Sequence, residues 1–228
     1  MNQPIGPFEP RGQVFRRAAP RRPNPYKPLV ADAPPVRVEA VSLDWKWLFI
    51  YPDQGIATVN QLVFPAKTPL SLRLTSDSVM TAFFVPELCS QIYSMAGMQT
   101  QLNLMADAPG HYWGDNTQYS GSGFHDMHFE AKAVSPDEFQ QWVEQVRESP
   151  DRLDAEGFAQ LEQPSKGWVP VKHFSDVAPG LFESIMGKFM SMAGMTPDQL
   201  DQMHAGNALP APNPAPTPEP KDPQPETH

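Results

Sequence analysis

A single cysteine among 228 residues excludes an internal disulfide framework and any structural zinc site built from several thiolates. No window holds 18 consecutive apolar residues, so no segment reads as a membrane-crossing helix. The basic N-terminus is followed by no apolar stretch of the kind a secretory signal needs. A glycine-rich phosphate loop is missing, as are a nucleophile elbow and any internal repeat. Apolar residues make up 40 % of the chain, below the ~45–50 % of an average globular protein.

Proline accounts for much of that deficit. Of the 28 prolines, nine fall in residues 1–35 and eight in residues 205–228. Without an amide hydrogen, such ends join neither a helix interior nor a central strand. They read as extended, disordered tails around a folded body of ordinary domain size. Charge divides the same way. Residues 1–30 hold five Arg and one Lys against one Glu, a net of +5, which leaves −14 on the rest of a chain totalling −9. A body this acidic is a poor nucleic-acid binder; the basic end reads as a solvated leader, with weak binding of anionic lipid or RNA as the alternative.

The folded part begins as β-structure. Val36, Val38 and Ala40 alternate with Arg37 and Glu39, the period of a half-buried strand. A dense aromatic run from Trp45 to Tyr51, the turn Pro52-Asp53-Gln54-Gly55 and a strand from Ile56 to Phe64 predict a hairpin. Leu70-Leu72-Leu74, Val79 to Val85, Thr100-Leu102-Leu104, His111-Tyr112-Trp113 and Met127-Phe129-Ala131-Ala133 add further short strands with turn signals between them. Seven or eight such strands predict a mainly β fold, an antiparallel sandwich or Greek-key barrel.

The period then changes. Ser135 is placed to cap a helix that opens at Pro136, with Phe139, Trp142, Val143 and Val146 on one face. Leu181, Phe182, Ile185, Met186, Phe189 and Met190 predict a second helix, and Pro197–Met203 a short third. The expected organisation is a leader over 1–35, a β-sandwich over 36–134, a helical extension over 135–203 and a Pro-rich tail over 204–228.

Three constellations invite a functional reading. Cys89, with Met95 and Met98 nearby, has soft-metal character, but no His lies between Met1 and Leu104, so Cys89 reads as a small buried hydrophobe. His125 and His128 diverge on an extended strand and lack a third strong ligand. Trp45, Trp47, Phe49 and Tyr51 share a strand parity, and two Trp bracket Lys46. Most of that face is expected in the core. Trp45, Lys46, Trp47 and Tyr51 are the residues expected to meet a partner, since Trp and Tyr are enriched at interfaces. No catalytic, cofactor-binding or metal-binding residue stands out.

Long runs carry a resemblance over residues 24–192. They are Asp44-Trp45-Lys46-Trp47-Leu48-Phe49-Ile50-Tyr51-Pro52-Asp53-Gln54-Gly55-Ile56-Ala57-Thr58-Val59-Asn60, Ser78-Val79-Met80-Thr81-Ala82-Phe83-Phe84-Val85-Pro86, Ser90-Gln91-Ile92-Tyr93-Ser94-Met95-Ala96-Gly97-Met98-Gln99-Thr100 and Tyr119-Ser120-Gly121-Ser122-Gly123-Phe124. The chain resembles the exposed domain of subunit II of bacterial cytochrome bo-type ubiquinol oxidases. That resemblance implies a cupredoxin-like Greek-key sandwich with added C-terminal helices. It implies a non-catalytic subunit of a complex that oxidises ubiquinol, reduces oxygen and pumps protons at the periplasmic face of the inner membrane. The haems and catalytic copper are then expected in the partner subunit I, and no cofactor in this chain.

In the related cytochrome c oxidases a dinuclear copper centre occupies this domain. The resemblance aligns its first His ligand with Thr81 and its two-Cys loop with the stretch from Tyr119 to Met127. Two bridging thiolates cannot come from one cysteine, so the resemblance implies a domain without that centre. The family also places a lipoprotein-type signal and two membrane helices ahead of Pro25-Tyr26-Lys27-Pro28-Leu29, where this sequence has a hydrophilic Arg/Pro-rich leader. A displaced start, a frameshift or a truncation is the expectation there. The alternative reading is a soluble copper-carrying electron-transfer protein that uses Cys89 with His125 or His128.

Overall fold

A computed structural model describes residues 34–89 and 91–193. The leader, the helix expected at 197–203 and the C-terminal tail lie outside the described residues. In chain order the elements are β1 (Val36–Leu43), β2 (Lys46–Tyr51), β3 (Ile56–Val59), β4 (Gln61–Pro65), β5 (Leu70–Ser76), β6 (Thr81–Phe84), β7 (Ile92–Ser94), β8 (Thr100–Leu104), β9 (Gly110–Asn116), β10 (His128–Val134), α1 (Pro136–Arg147), α2 (Ala155–Leu161), β11 (Lys172–Phe174) and α3 (Leu181–Ala193). A single 3₁₀ turn, Phe124–Asp126, precedes β10.

The strands form two sheets, in the orders β11-β3-β2-β1-β5-β8 and β4-β10-β9-β6-β7. Most neighbours are antiparallel, but β1–β5 and β4–β10 are parallel. Alternation along single strands does not reveal this, because each parallel pair closes only after the chain has crossed to the other sheet and back.

Asn60 makes the first crossing. The stretch from Ile56 to Phe64 reads as one strand in the sequence, yet it breaks at Asn60, whose φ is +54°. Asn tolerates the left-handed region better than most residues. Its side chain is also fully engaged: Oδ1 accepts from the Trp47 amide at 2.8 Å and Nδ2 donates to the Val169 carbonyl at 2.8 Å. β3 therefore stays with β2, while β4 passes to β10 in the facing sheet.

Two cores follow from this layering. Between the sheets pack Trp47, Phe49, Tyr51, Leu62, Phe64, Phe83 and Phe129, with the Trp47 ring 5.4 Å from Phe83 and 5.8 Å from Phe129. The opposite face of the larger sheet, with Val41, Leu43, Leu48, Ile50 and Val59, packs on Leu153, Phe158, Phe174, Phe182 and Ile185. β2 is thus buried on both sides, by alternate residues.

Residues 135–203, expected as a helical extension, supply a strand as well. β11 pairs with β3 at the sheet edge, and α2 and α3 add the apolar residues of the second core. Helix α1 starts as the sequence indicates: the Ser135 hydroxyl accepts from the Glu138 amide, and the Glu138 carboxylate accepts from the Ser135 amide at 2.8 Å. Phe139, Val143 and Val146 then turn inward. α2 is only about two turns long and its stripe is too short to read from the sequence.

Candidate functional site

The aromatic run does not present one surface. Trp47, Phe49 and Tyr51 keep the shared parity expected of them, but their face is the inter-sheet core, and all three are fully buried. Tyr51 is held there by a reciprocal pair: its hydroxyl donates to the Val63 carbonyl at 2.9 Å and accepts from the Val63 amide at 2.8 Å. Lys46 is buried on the other side, its ammonium donating to the carbonyls of Asp44 and Gln163 at 2.9 Å each. Burial lowers its pKa from the ordinary lysine value. Contact of Trp47, Tyr51 and Lys46 with a partner is corrected accordingly: the second sheet and the C-terminal segment already cover them.

Trp45 is different. It precedes β2 and stays partly exposed against the core. Its indole N–H donates to the Ser120 carbonyl at 2.8 Å, and its backbone amide donates to the Ser165 hydroxyl at 3.1 Å. Gly123 lies so close to the ring that a Cβ there would stand 2.4 Å from Trp45 Cδ2. One loop thus holds the Trp45 ring and another its backbone, and with Trp45 they line an open cleft of about 410 Å³ that includes His125, Asp126 and Lys166.

The same loops test the fit of a dinuclear copper centre. Thr81, at the aligned first-ligand position, is buried and donates its hydroxyl proton to Ser42 Oγ at 2.7 Å. In the aligned two-Cys loop, Ser120 accepts from Asn116 Nδ2 at 3.0 Å and the two glycines lie against Trp45. Cys89 follows β6, with Sγ 3.8 Å from the Val85 carbonyl, and burial pushes its thiol up to about 11. His125 sits on the 3₁₀ turn beside Asp126, and His128 is on β10 between Trp113 and Trp168. Among the described residues no group of three or more His, Cys, Asp or Glu is placed to hold a metal ion. With one thiol in the chain and a hydrogen-bonded Thr at the first position, the residues present do not fit a two-thiolate centre.

What those loops share is the absence of charge. Residues 78–86, 88–106 and 116–124 contain no Asp, Glu, Lys, Arg or His, in a chain that is 19 % charged. The fold brings parts of all three together. Thr81 pairs with Ser94, Ser76 bridges to Ala96, and the Thr117 amide donates to the Ala82 carbonyl at 3.2 Å. Tyr119 contacts Phe124 at 5.7 Å between ring centroids. Of the seven large apolar side chains that are exposed among the described residues, Val79, Met80, Tyr93, Met98 and Tyr119 all belong to these segments. Runs without charge are visible in the sequence, but only the fold shows that they share one surface.

Comparison with known proteins completes the picture. Residues 52–134 match the family described as "Cytochrome C oxidase subunit II, periplasmic domain", and residues 147–193 match the COX Aromatic Rich Motif. The chain is 54 % identical over 178 residues to ubiquinol oxidase subunit 2 of Acetobacter aceti, covering 77 % of this chain and 57 % of that protein. It is 49 % identical over 169 residues to cytochrome bo(3) ubiquinol oxidase subunit 2 of Pseudomonas putida, covering 74 % and 54 %. The chain thus spans about half the length of the curated relatives it matches. Among solved structures, the periplasmic domain of subunit II of cytochrome oxidase of Bradyrhizobium japonicum matches 51 % of this chain and 94 % of its own at 23 % identity, with a TM-score of 0.47.

Proposed function

The chain belongs to the family of ubiquinol oxidase subunit 2, with the mainly β, cupredoxin-like sandwich of that family, and from that premise we propose that it is the exposed docking domain of a membrane quinol oxidase. In this reading it holds no redox centre. The haems and copper, the quinol chemistry and the proton pumping belong to the partner subunits, and the domain works at the periplasmic face.

One observation carries the proposal: the charge-free segments gathered at one end of the sandwich. A protein of net charge −9 ordinarily keeps charge on its solvated loops. Exposed Met80, Tyr93, Met98 and Tyr119 sit on segments free of charge (residues 78–86, 88–106 and 116–124), and such a surface has the make-up of an interface core, depleted of Lys, Glu and Asp and enriched in Met and aromatic residues. Methionine adapts its shape to an uneven apolar surface. The partner suited to it is the apolar extramembrane surface of a membrane-embedded subunit. Half-buried Trp45, its indole held by Ser120 and its backbone by Ser165 beside that end, is the member of the expected interface set that supports this reading. The test is co-purification: a tagged chain should bring down a haem-bearing partner from membranes, and Met98→Asp should lose the partner while the domain keeps its thermal stability.

A further inference from the structure

Helix α3 closes the second core, and it is also tied to the larger sheet by charge. Near its start, Arg73 on β5 reaches between two carboxylates on different elements. The same guanidinium nitrogen, Nη1, donates to Glu39 of β1 at 2.9 Å and to Glu183 of α3 at 3.2 Å. Nε and Nη2 both donate to Gln99 Oε1, at 2.8 and 2.6 Å. The ring of Phe182, the α3 residue beside Glu183, lies 4.9 Å from the guanidinium carbon. Glu39 is only 8 % exposed. Its other charged neighbour is Arg37 on its own strand, which is committed to a bidentate pair with Asp53. Further along α3, Lys188 bridges buried Asp77 and exposed Glu162.

One cation serving two carboxylates leaves the cluster one negative charge in excess when both are ionised. Glu39 is where that excess is least tolerated, because it is buried and because docked Glu183 repels it. Its carboxyl is accordingly raised from 4.5 to about 7, by burial first and by Glu183 next. Glu183 acts on Glu39, and Phe182 on Arg73, only while α3 is docked.

We propose that α3 is a proton-linked latch: it docks on the sheet more firmly when Glu39 is protonated and Arg73 serves Glu183 alone, and it loosens when Glu39 ionises. The linkage is reciprocal, so docking of the helix takes up a proton at Glu39, and mild acid closes the latch.

Amide hydrogen exchange of residues 181–189 in the whole chain, corrected for intrinsic rates, reads the latch directly. Each unit of carboxyl pKa that release removes changes the docking equilibrium tenfold. Opening is therefore expected to be at least about tenfold more frequent near pH 8.5 than near pH 5. Glu39→Gln should hold the acid-like protection at both values, and Glu183→Gln should lower the pH at which the Glu39 carboxyl titrates, followed by its ¹³C shift. Protection of α3 that is the same at both pH values would overturn the proposal. So would a Glu39→Gln variant that keeps the wild-type pH dependence, or a Glu39 carboxyl that titrates in the wild type near its ordinary value.

Discussion

At the residue scale, burial decides what each chemically interesting side chain can do. Cys89 has the sulfur a soft metal wants, but its thiol is pushed up to about 11. Thiolate is then scarce at neutral pH, and alkylation of the folded protein near pH 8 should be about a hundredfold slower than that of the unfolded chain, whose thiol titrates near ~8.5. Comparing the two rates in native buffer and in denaturant checks this. Trp47 fills the centre of the aromatic core, so Trp47→Ala should cost ~3–5 kcal/mol in denaturant unfolding. Trp47→Phe should cost less, because the indole N–H it removes has no hydrogen-bond partner. For Glu39 the sign follows from its folded pKa lying above the unfolded value. The folded state holds the proton more tightly, so this contribution is complete below about pH 4.5 and lost as the pH rises through about 7. Glu39→Gln removes that loss. The variant should gain on the wild type by on the order of 3 kcal/mol between pH 4.5 and pH 8, read as the difference of their urea midpoints.

At the element scale, regular alternation was legible and switches were not. β10 shows Phe129, Ala131 and Ala133 inward as the period of two requires, and the Ser135–Glu138 capping box of α1 is written in four consecutive residues. The parity of Trp47, Phe49 and Tyr51 was also readable, but their partner-facing role was not supported. Both faces of β2 are covered, one by the second sheet and one by a segment more than 100 residues downstream. The break at Asn60 was hidden because its cause is tertiary, a side chain tying Trp47 to Val169. β9 shows the other side of such constraints. A Cβ at Gly114 would stand 2.0 Å from Phe129 Cζ. Gly114→Ala should therefore destabilise the domain by ~1–3 kcal/mol through forced repacking of the central ring, with a lowered thermal midpoint as the readout.

At the scale of the whole molecule, charge and its absence organise the protein. The family was legible from long runs of sequence. The charge-free surface on which the proposed docking rests emerges only when the fold gathers parts of residues 78–86, 91–98 and 116–124 at one end of the sandwich. A chain with one cysteine cannot carry a two-thiolate copper relay, which agrees with the docking role proposed for this domain. The decisive measurement is affinity purification of the tagged chain from native membranes, with a visible haem spectrum of the eluate for the wild type and for Met98→Asp. The wild type is predicted to elute with haem and quinol oxidase activity, and Met98→Asp to elute folded and without haem. A wild-type chain recovered without haem, or a Met98→Asp chain that brings down as much haem as the wild type, would contradict the account.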